Sequence, residues 1–205
     1  MADIHYLDEP LETEGLLELL CPPVRNWFKD KFPDFTEPQK LAIPAIMDQE
    51  HLLLCSPTGS GKTLTAFLTI IDQLVRRALD NKLDKRVYCV YISPIKALAN
   101  DIQRNLIGPL TEISETYLPS RAQEIRVGLR TGDTPQSERQ KMLRNPPHIL
   151  ITTPESLAIA ITSPRFQPIV SEVEYMIVDE LHSLVPTKRG VHLALTLSYL
   201  DTLLN

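Results

Sequence analysis

Short apolar runs alternate with segments of helical periodicity along most of this chain. Each run has the length and the β-branched content of a strand that is buried on both faces. The clearest helical segment follows Lys62 and carries an apolar stripe from Leu64 to Leu79. This alternation predicts an α/β domain whose mainly parallel sheet has helices on both faces. The five predicted strands are residues 52–56, 87–93, 125–130, 148–153 and 174–179.

Local signals refine this prediction at helix starts and at cysteines. Thr134 and Thr153 each precede a proline, so each is predicted to cap a helix whose first residue is that proline. Cys55 and Cys89 lie in strand-like runs and are predicted to be buried in the core. With three cysteines and no C-x-x-C spacing, neither a disulfide framework nor a zinc site is supported.

Charge and hydropathy exclude several classes of protein. A net charge of −5 argues against a protein that coats nucleic acid through bulk positive charge, although a local track of lysines and arginines remains open. No apolar stretch approaches the ~18–20 residues of a membrane span, so we expect no membrane partner. The acidic start lacks a secretory signal, and a cytoplasmic location is therefore expected.

Chemically suggestive residues follow each predicted strand, at the edge of the sheet where ligands of α/β proteins gather. The first of these segments, residues 56–63, reads Ser-Pro-Thr-Gly-Ser-Gly-Lys-Thr and is typical of a phosphate-binding loop, although Ser56 replaces the first glycine of the full pattern. Its glycines allow backbone N–H groups to face phosphate oxygens, Lys62 is predicted to bridge the β and γ phosphates, and Thr63 to bind Mg²⁺. The predicted nucleotide-binding residues of this loop are Thr58, Gly59, Ser60, Gly61, Lys62 and Thr63.

An acidic pair, Asp179 and Glu180, ends the last predicted strand. A phosphate loop needs a carboxylate that holds Mg²⁺ and a base that orients the attacking water, and this pair fits the two roles. Gln39 carries an amide that can read the edge of adenine, but composition alone favours a surface glutamine beside core aromatics. His182 alone is typical of a structural histidine.

Loop-to-helix junctions supply the remaining candidates. Residues 94–100 and 152–156 offer hydroxyls, a lysine and free N–H groups that suit a sugar-phosphate backbone. Thr153 as a simple helix cap and Lys96 as a solvated side chain remain alternatives. Lys188 and Arg189 form a basic turn that fits either a phosphate contact or ordinary solvated surface.

Taken in order, these segments resemble the first motor lobe of a superfamily 2 helicase of the DEAD/DEAH type, specifically of the large helicase-related (Lhr) family. The resemblance runs from about residue 24 to 200. The matching segments are the Q-motif (Thr36, Gln39), motif I (56–63), motif Ia (93–101), motif Ic (130–134), motif Ib (152–157), motif II (179–182) and the basic segment 187–192.

The resemblance implies a RecA-like ATP-binding domain over residues 24–205, preceded by a lead-in segment over residues 1–23. It implies that Gln39 recognises adenine, that Asp179 holds the metal, that Glu180 orients water and that His182 couples the nucleotide state to the strand. It also implies ATP and Mg²⁺ as cofactors, single-stranded DNA or RNA as a partner, and a second RecA-like lobe that these 205 residues lack. The implied nucleic-acid contacts are Pro94, Lys96, Asn100, Gly132, Thr153, Pro154, Glu155, Lys188 and Arg189.

Two other functions remain open at the level of sequence. A P-loop phosphotransferase acting on a small molecule would need an arginine-rich lid after the phosphate loop, and we find no such segment. A non-catalytic module in which ATP only controls a protein partner is hard to separate from an isolated motor lobe. The sequence does not distinguish DNA from RNA, because backbone contacts carry no base information.

Overall fold

The computed structural model describes residues 4–57, 59–94 and 99–204. The chain divides into two compact units, one over 1–81 and 100–123 and the other over 82–99 and 124–205. The first unit is helical, and the second contains the sheet. The first unit comprises α1 (Thr13–Leu19), α2 (Pro22–Lys31), α3 (Glu37–Met47), α4 (Lys62–Leu79), most of α5 (Ala99–Ile102), a π-helical turn (Gln103–Ile107) and α6 (Gly108–Thr116).

Helix α4 is the longest helix of the first unit and confirms the predicted apolar stripe. Phe67, Leu68 and Ile71 are fully buried, as are most of the other stripe positions. Asp72 lies on the same helix with no exposed surface, and its carboxylate accepts hydrogen bonds from the Cys21 backbone N–H and from Arg76 Nε, both at 2.6 Å. Burial, together with the Asp72 carboxylate, raises the pKa of the Cys21 thiol to about 12.

The second unit contains a four-stranded sheet in which every neighbouring pair is parallel, with the strand order β2-β3-β1-β4. This arrangement confirms the predicted α/β fold. The elements are β1 (Cys89–Ile92), β2 (Val127–Arg130), α7 (Gln136–Arg144), β3 (Ile149–Thr152), α8 (Pro154–Ile161), α9 (Gln167–Val170), β4 (Tyr175–Val178), α10 (Leu181–Leu184) and α11 (Lys188–Leu204).

The core of the second unit lies between the sheet and the helices α8 to α11. Val90, Ile92 and Leu150 point from the central strands into this layer. Every residue of β1 and of β3 is buried, as expected for parallel strands that are covered on both faces. These two strands therefore fix the positions of the loops at their carboxyl ends.

One of the five predicted strands is wrong. Residues 52–56 adopt no strand in the structure, since they pair with no other strand of the described chain. Leu53 is 72% exposed and Cys55 is also exposed, which corrects the prediction that Cys55 belongs to the core. Cys89, by contrast, is buried as predicted. An apolar run indicates a preference for burial, but it does not specify a neighbour that supplies the ladder of hydrogen bonds.

One of the two predicted helix starts is also wrong. Thr153 caps α8 as predicted, because its hydroxyl accepts a hydrogen bond from the Ser156 N–H at 3.3 Å. Thr134 does not cap α7: Pro135 is the capping residue itself, and the Thr134 hydroxyl accepts instead from the Thr131 N–H at 2.8 Å. The Thr134 hydroxyl thus closes the preceding turn, a side-chain-to-backbone hydrogen bond of the kind that competes with helix capping.

The remaining features of the fold are the position of the predicted domain boundary and the membrane-spanning capacity of the helices. The predicted domain start at residue 24 lies inside α2, and this boundary remains a prediction. Over the ranges that the structure describes, no helix has both the length and the apolar character needed to cross a membrane.

Gly190 occupies a position that leaves no room for a side chain. A Cβ atom there would lie 2.4 Å from the Leu184 carbonyl oxygen and 3.1 Å from Val185 Cα, both of which are backbone atoms that cannot rotate away. We expect Gly190→Ala to lower the free energy of unfolding by about 1–3 kcal/mol, measured by chemical denaturation. Gly132→Ala is the matched control, because a Cβ at Gly132 meets nothing within 4 Å; equal stability of the two variants would contradict the prediction.

His148 makes the stability of the second unit sensitive to acid. Its side chain has no exposed surface, Nδ1 accepts the Arg126 N–H at 3.1 Å, and the Arg126 guanidinium lies 2.7 Å from Nε2. Burial, followed by the charge of Arg126, lowers the pKa of His148 from 6.5 to about 4, against a smaller opposing effect of Asp84. Between these two pH values the unfolded chain binds the proton and the folded chain does not, so stability falls as the pH falls.

We therefore expect the free energy of unfolding to drop by roughly 2–3 kcal/mol from pH 6.5 to pH 4 on account of this one residue. The measurement is denaturant unfolding across that range. His148→Gln should flatten the curve whatever its stability at neutral pH, whereas His5→Gln, which removes an exposed histidine, should keep it. An unchanged slope in the His148 variant would refute the assignment.

Candidate functional site

The predicted phosphate loop joins residue 56 to the start of α4 in the first unit. Gly59 and Gly61 have φ angles of +84° and +88°, in the left-handed region that residues with a Cβ rarely adopt. Gly61 is the residue directly before the helix, so its conformation turns the chain into the first turn of α4. The first N–H groups of α4 have no acceptor within the helix and lie at its positive end, an arrangement that favours phosphate binding.

Lys62 and the loop serines close this turn with hydrogen bonds. Lys62 Nζ donates to the carbonyl oxygens of Ser56 at 2.5 Å and of Pro57 at 2.8 Å. The hydroxyls of Ser56 and Ser60 lie 2.5 Å apart. The Lys62 side chain thus lies over its own loop. Among the described residues its ammonium group contacts these two carbonyl oxygens and forms no ion pair. Thr63 begins α4 beside it, and Thr58 lies outside the described residues.

The Q-motif residues contact this loop directly. The Thr36 hydroxyl donates to the Ser60 carbonyl at 2.9 Å, and Gln39 Oε1 accepts the Thr36 N–H at 2.9 Å in a capping box at the start of α3. A Cβ on Gly61 would lie 2.9 Å from Gln39 Nε2. The structure therefore brings Gln39 to the phosphate loop, but only 3% of the residue is exposed. Its contact with adenine remains a prediction; the Thr-x-x-Gln spacing was the sequence signal for the cap.

The acidic pair follows β4 in the second unit. Asp179 Oδ2 accepts a hydrogen bond from the hydroxyl of Tyr91 on β1, and Oδ1 accepts the Glu180 N–H at 2.9 Å. Both oxygens of this carboxylate are thereby oriented by the protein. Glu180 has a φ of +51°, which is strained backbone for a residue with a side chain. Strain of this kind persists where the surrounding structure imposes it, commonly at functional sites.

Tyr91 is a site residue that the sequence analysis missed. It is 1% exposed and belongs to a strand whose four residues are all buried, so from sequence it reads as core. The parallel register of β1 and β4, in which Ile92 lies beside Val178, brings its hydroxyl to Asp179. His182 lies on the outside of the same turn, with Nε2 at 3.2 Å from Glu180 Oε2 and a side chain that is 82% exposed.

Three of the predicted nucleic-acid contacts meet in one cluster. Arg189 Nε lies 2.6 Å from Glu155 Oε1, and Arg189 Nη2 donates to the Pro94 carbonyl at 3.2 Å. The hydrogen bond from Arg189 lowers the pKa of Glu155. The charge of Arg189 is therefore already paired, and the cluster ties the start of α11 to the end of β1 and the start of α8.

Of the other predicted contacts, Thr153 reaches this cluster through a side-chain hydrogen bond to Glu155. Gly132 is exposed in the loop after β2, Lys188 is exposed at the start of α11, and Pro154 is the buried first residue of α8 behind its cap Thr153. Lys96 and the side chain of Asn100 lie outside the described residues. In the described part of the chain, no three histidine, cysteine, aspartate or glutamate side chains are grouped so that they could hold a metal ion.

Comparison with known proteins identifies the family. Residues 36–204 match the family model of the DEAD/DEAH box helicases. The chain belongs to the DEAD/DEAH box helicase family. The match covers the phosphate loop, the acidic pair and all of the sheet. The predicted resemblance to superfamily 2 helicases is therefore confirmed.

Within this family the chain is similar to Lhr proteins. It is 50% identical to the ATP-dependent helicase Lhr-Core of Methanocaldococcus jannaschii over 100% of the chain and 24% of that relative. It is 45% identical to the Lhr helicase/uracil glycosylase of Escherichia coli over 97% of the chain and 13% of that protein. The chain thus spans about a quarter or less of these two curated relatives.

Solved structures give the same result. The helicase Lhr of Mycobacterium smegmatis, bound to single-stranded DNA and AMP-PNP, is 43% identical with a TM-score of 0.80, over 92% of this chain and 24% of that one. The yeast DEAD-box splicing factor Prp28 has a TM-score of 0.78 at 21% identity, over 97% of this chain and 45% of that one, and shows the fold alone. These likenesses confirm the RecA-like fold.

Proposed function

We propose that this chain is the ATP-binding lobe of an ATP-dependent helicase that couples ATP hydrolysis to movement on single-stranded DNA or RNA. The observation that carries the proposal is the phosphate loop, in which two left-handed glycines precede a helix that begins at Lys62. The match to the DEAD/DEAH helicases supports this function over a small-molecule phosphotransferase or an ATP-controlled binding module.

In this proposal the first unit binds the nucleotide. Residues 58–61 supply backbone N–H groups to the phosphates, and Lys62 exchanges its two carbonyl partners for the β and γ phosphate oxygens. The exchange is favourable because the phosphate oxygens carry negative charge, whereas the carbonyl oxygens are neutral dipoles. Gln39 contacts the adenine, with Nε2 available as a donor while Oε1 retains its cap to Thr36.

The donors of the proposed metal site suit Mg²⁺. This ion prefers oxygen ligands and usually takes only one or two carboxylates together with phosphate oxygens and water. The Thr63 hydroxyl and the Asp179 carboxylate are such ligands, and Asp179 is already oriented by Tyr91. Bound Mg²⁺ would neutralise charge on the phosphates.

Hydrolysis is assigned to the acidic pair. The Glu180 carboxylate accepts a proton from the attacking water and orients it toward the γ phosphate. His182 contacts that carboxylate at 3.2 Å, and this contact supports our assignment of His182 as the residue that couples the nucleotide state to the bound strand. Tyr91 acts as a positioning residue through Asp179.

The nucleic-acid strand is assigned to the loops at the carboxyl ends of the strands in the second unit. We assign to this strand Gly132, Lys188 and the cluster of Pro94, Glu155 and Arg189, together with Thr153 and Pro154. Lys96 and Asn100 are proposed as further contacts from the sequence alone. Motor activity further requires a second RecA-like lobe, which we assign to the longer protein. A cytoplasmic location completes the proposal.

A salt series of single-stranded DNA titrations, followed by fluorescence anisotropy, tests the nucleic-acid part. We expect the logarithm of the association constant to fall linearly with the logarithm of salt concentration, with a slope of about −0.7 for each phosphate contact. Lys188→Gln should make the slope less negative by that amount, whereas Lys29→Gln, an exposed lysine on α2, should not. An absence of DNA binding at low salt would overturn the proposal and favour the ATP-controlled module.

A further inference from the structure

A small basic pocket of about 200 Å³ opens in the second unit beside α7 and the turn that joins α8 to α9. Three arginines line it, the other lining side chains are uncharged, and no carboxylate takes part. This is a local concentration of positive charge on a chain with a net charge of −5. The lining residues are Arg130, Gln136, Arg139, Gln140, Leu143, Ser163 and Arg165.

Arg130 is the buried wall of this pocket. It is 8% exposed, and its guanidinium lies 4.5 Å from the centre of the Phe166 ring. In the part of the chain that the structure describes, its guanidinium has neither a hydrogen-bond acceptor nor a carboxylate partner. Burial, together with the like charge of Arg139, lowers the pKa of Arg130. A buried cation without a counter-ion is costly, so the pocket is complementary to an anion.

The other two arginines of the pocket, Arg139 and Arg165, form no ion pair with a carboxylate of the described residues. Arg139 Nε donates to the Thr134 carbonyl at 2.9 Å and Nη2 to the Gly132 carbonyl at 3.0 Å, and both partners are neutral. Arg165 is exposed at the mouth of the pocket and has no ion-pair partner among the described residues. Arg139 thereby joins the pocket to the loop that holds Gly132, which we assign to nucleic acid.

We propose that this pocket binds a phosphate-class oxyanion. Guanidinium forks match phosphate oxygens in geometry and charge, and the glutamine amides and the Ser163 hydroxyl supply further donors. The volume accommodates a phosphate or a diphosphate and falls below the ~300–1,000 Å³ of most small-molecule sites. The bound phosphate group belongs either to a nucleic-acid backbone or to a free phosphate. Arg139 lines the pocket and also contacts the loop that holds Gly132, which favours the nucleic-acid backbone. This choice rests on the proposed function.

Arg165→Gln tests the proposal in the 205-residue chain, because this exposed side chain holds no described structural contact. Arg144→Gln is the matched control: it removes the same charge from α7 but does not line the pocket. In a salt series with single-stranded DNA, we expect a several-fold loss of affinity and a slope less negative by about 0.7 for the Arg165 variant only. In a second arm, carried out in a Lys62→Ala background so that the phosphate loop contributes little, sodium diphosphate should raise the melting temperature of this chain and of its Arg144→Gln variant, but not of its Arg165→Gln variant.

The two arms separate the possible sources. A changed DNA slope assigns the pocket to the strand, and an unchanged slope with lost diphosphate stabilisation assigns it to a free phosphate. If the chain binds no DNA but diphosphate stabilises it through Arg165, the pocket stands and the nucleic-acid part of the proposed function fails. If neither arm distinguishes the Arg165 variant from the Arg144 variant, the pocket proposal is overturned.

Discussion

Lys62→Ala is expected to weaken the binding of a fluorescent ATP analogue by about 30- to 150-fold in the presence of Mg²⁺. The estimate corresponds to the roughly 2–3 kcal/mol of hydrogen bonds between a charged group and phosphate. Lys62 Nζ already occupies the loop, 2.5 Å from the Ser56 carbonyl and 2.8 Å from the Pro57 carbonyl, and needs only to turn toward a phosphate. Alanine removes the charge and also leaves these two carbonyls without their donor.

Two further variants separate loss of charge from loss of loop structure. Lys62→Arg keeps the charge and the ability to donate to the loop carbonyls, but its planar guanidinium does not fit a point-charge site, so we expect an intermediate loss of affinity. Lys29→Ala, at an exposed position on α2, should bind the analogue normally. Thermal unfolding of each variant checks that the fold persists. Analogue binding by the Lys62→Ala variant at the original affinity would remove the phosphate loop from the nucleotide site.

Periodicity predicted the parts of the fold in which pattern and packing agree. The stripe of α4 and the strands that became β1 to β4 follow directly from the spacing of their apolar residues. Residues 52–56 carry the same pattern and form no strand, because strand formation depends on a paired neighbour and the pattern reports only hydrophobicity. Thr153 and Thr134 differ for a similar reason: the same dipeptide signal gives a cap only where the hydroxyl reaches the helix N–H groups.

The candidate site shows the same limit at the level of side chains. The glycines of the phosphate loop were predictable, since the left-handed angles of Gly59 and Gly61 are a local requirement. Tyr91 was not predictable, because its hydrogen bond to Asp179 depends on the register of two strands that lie 88 residues apart in the chain. The ion pair between Arg189 and Glu155 is likewise a tertiary contact. Nothing in the sequence indicates this partner, so the sequence predicts that Arg189 contacts either phosphate or solvent.

Phosphate release by the 205-residue chain is expected to be very slow and insensitive to single-stranded DNA. The resemblance to superfamily 2 helicases implies a second lobe with arginines that stabilise the transferred phosphoryl group, and such arginines are worth ~10³–10⁵ in rate. The chain spans 24% of its Lhr-Core relative, so we expect a rate lower by about that factor than the rate of a two-lobed protein. Steady-state phosphate release with and without single-stranded DNA measures it.

Glu180→Gln and Lys62→Ala show whether any residual release belongs to this site. Glu180→Gln should abolish the residual release while the ATP analogue still binds, because the amide cannot accept the proton of the attacking water. Lys62→Ala should lower both the residual phosphate release and the affinity for the ATP analogue. Strong stimulation by DNA that Lys62→Ala abolishes would contradict the prediction, and the arginines would then have to come from a second copy of the chain. A rate that rises with the square of the protein concentration would identify that case, since two chains must meet before one of them can hydrolyse ATP.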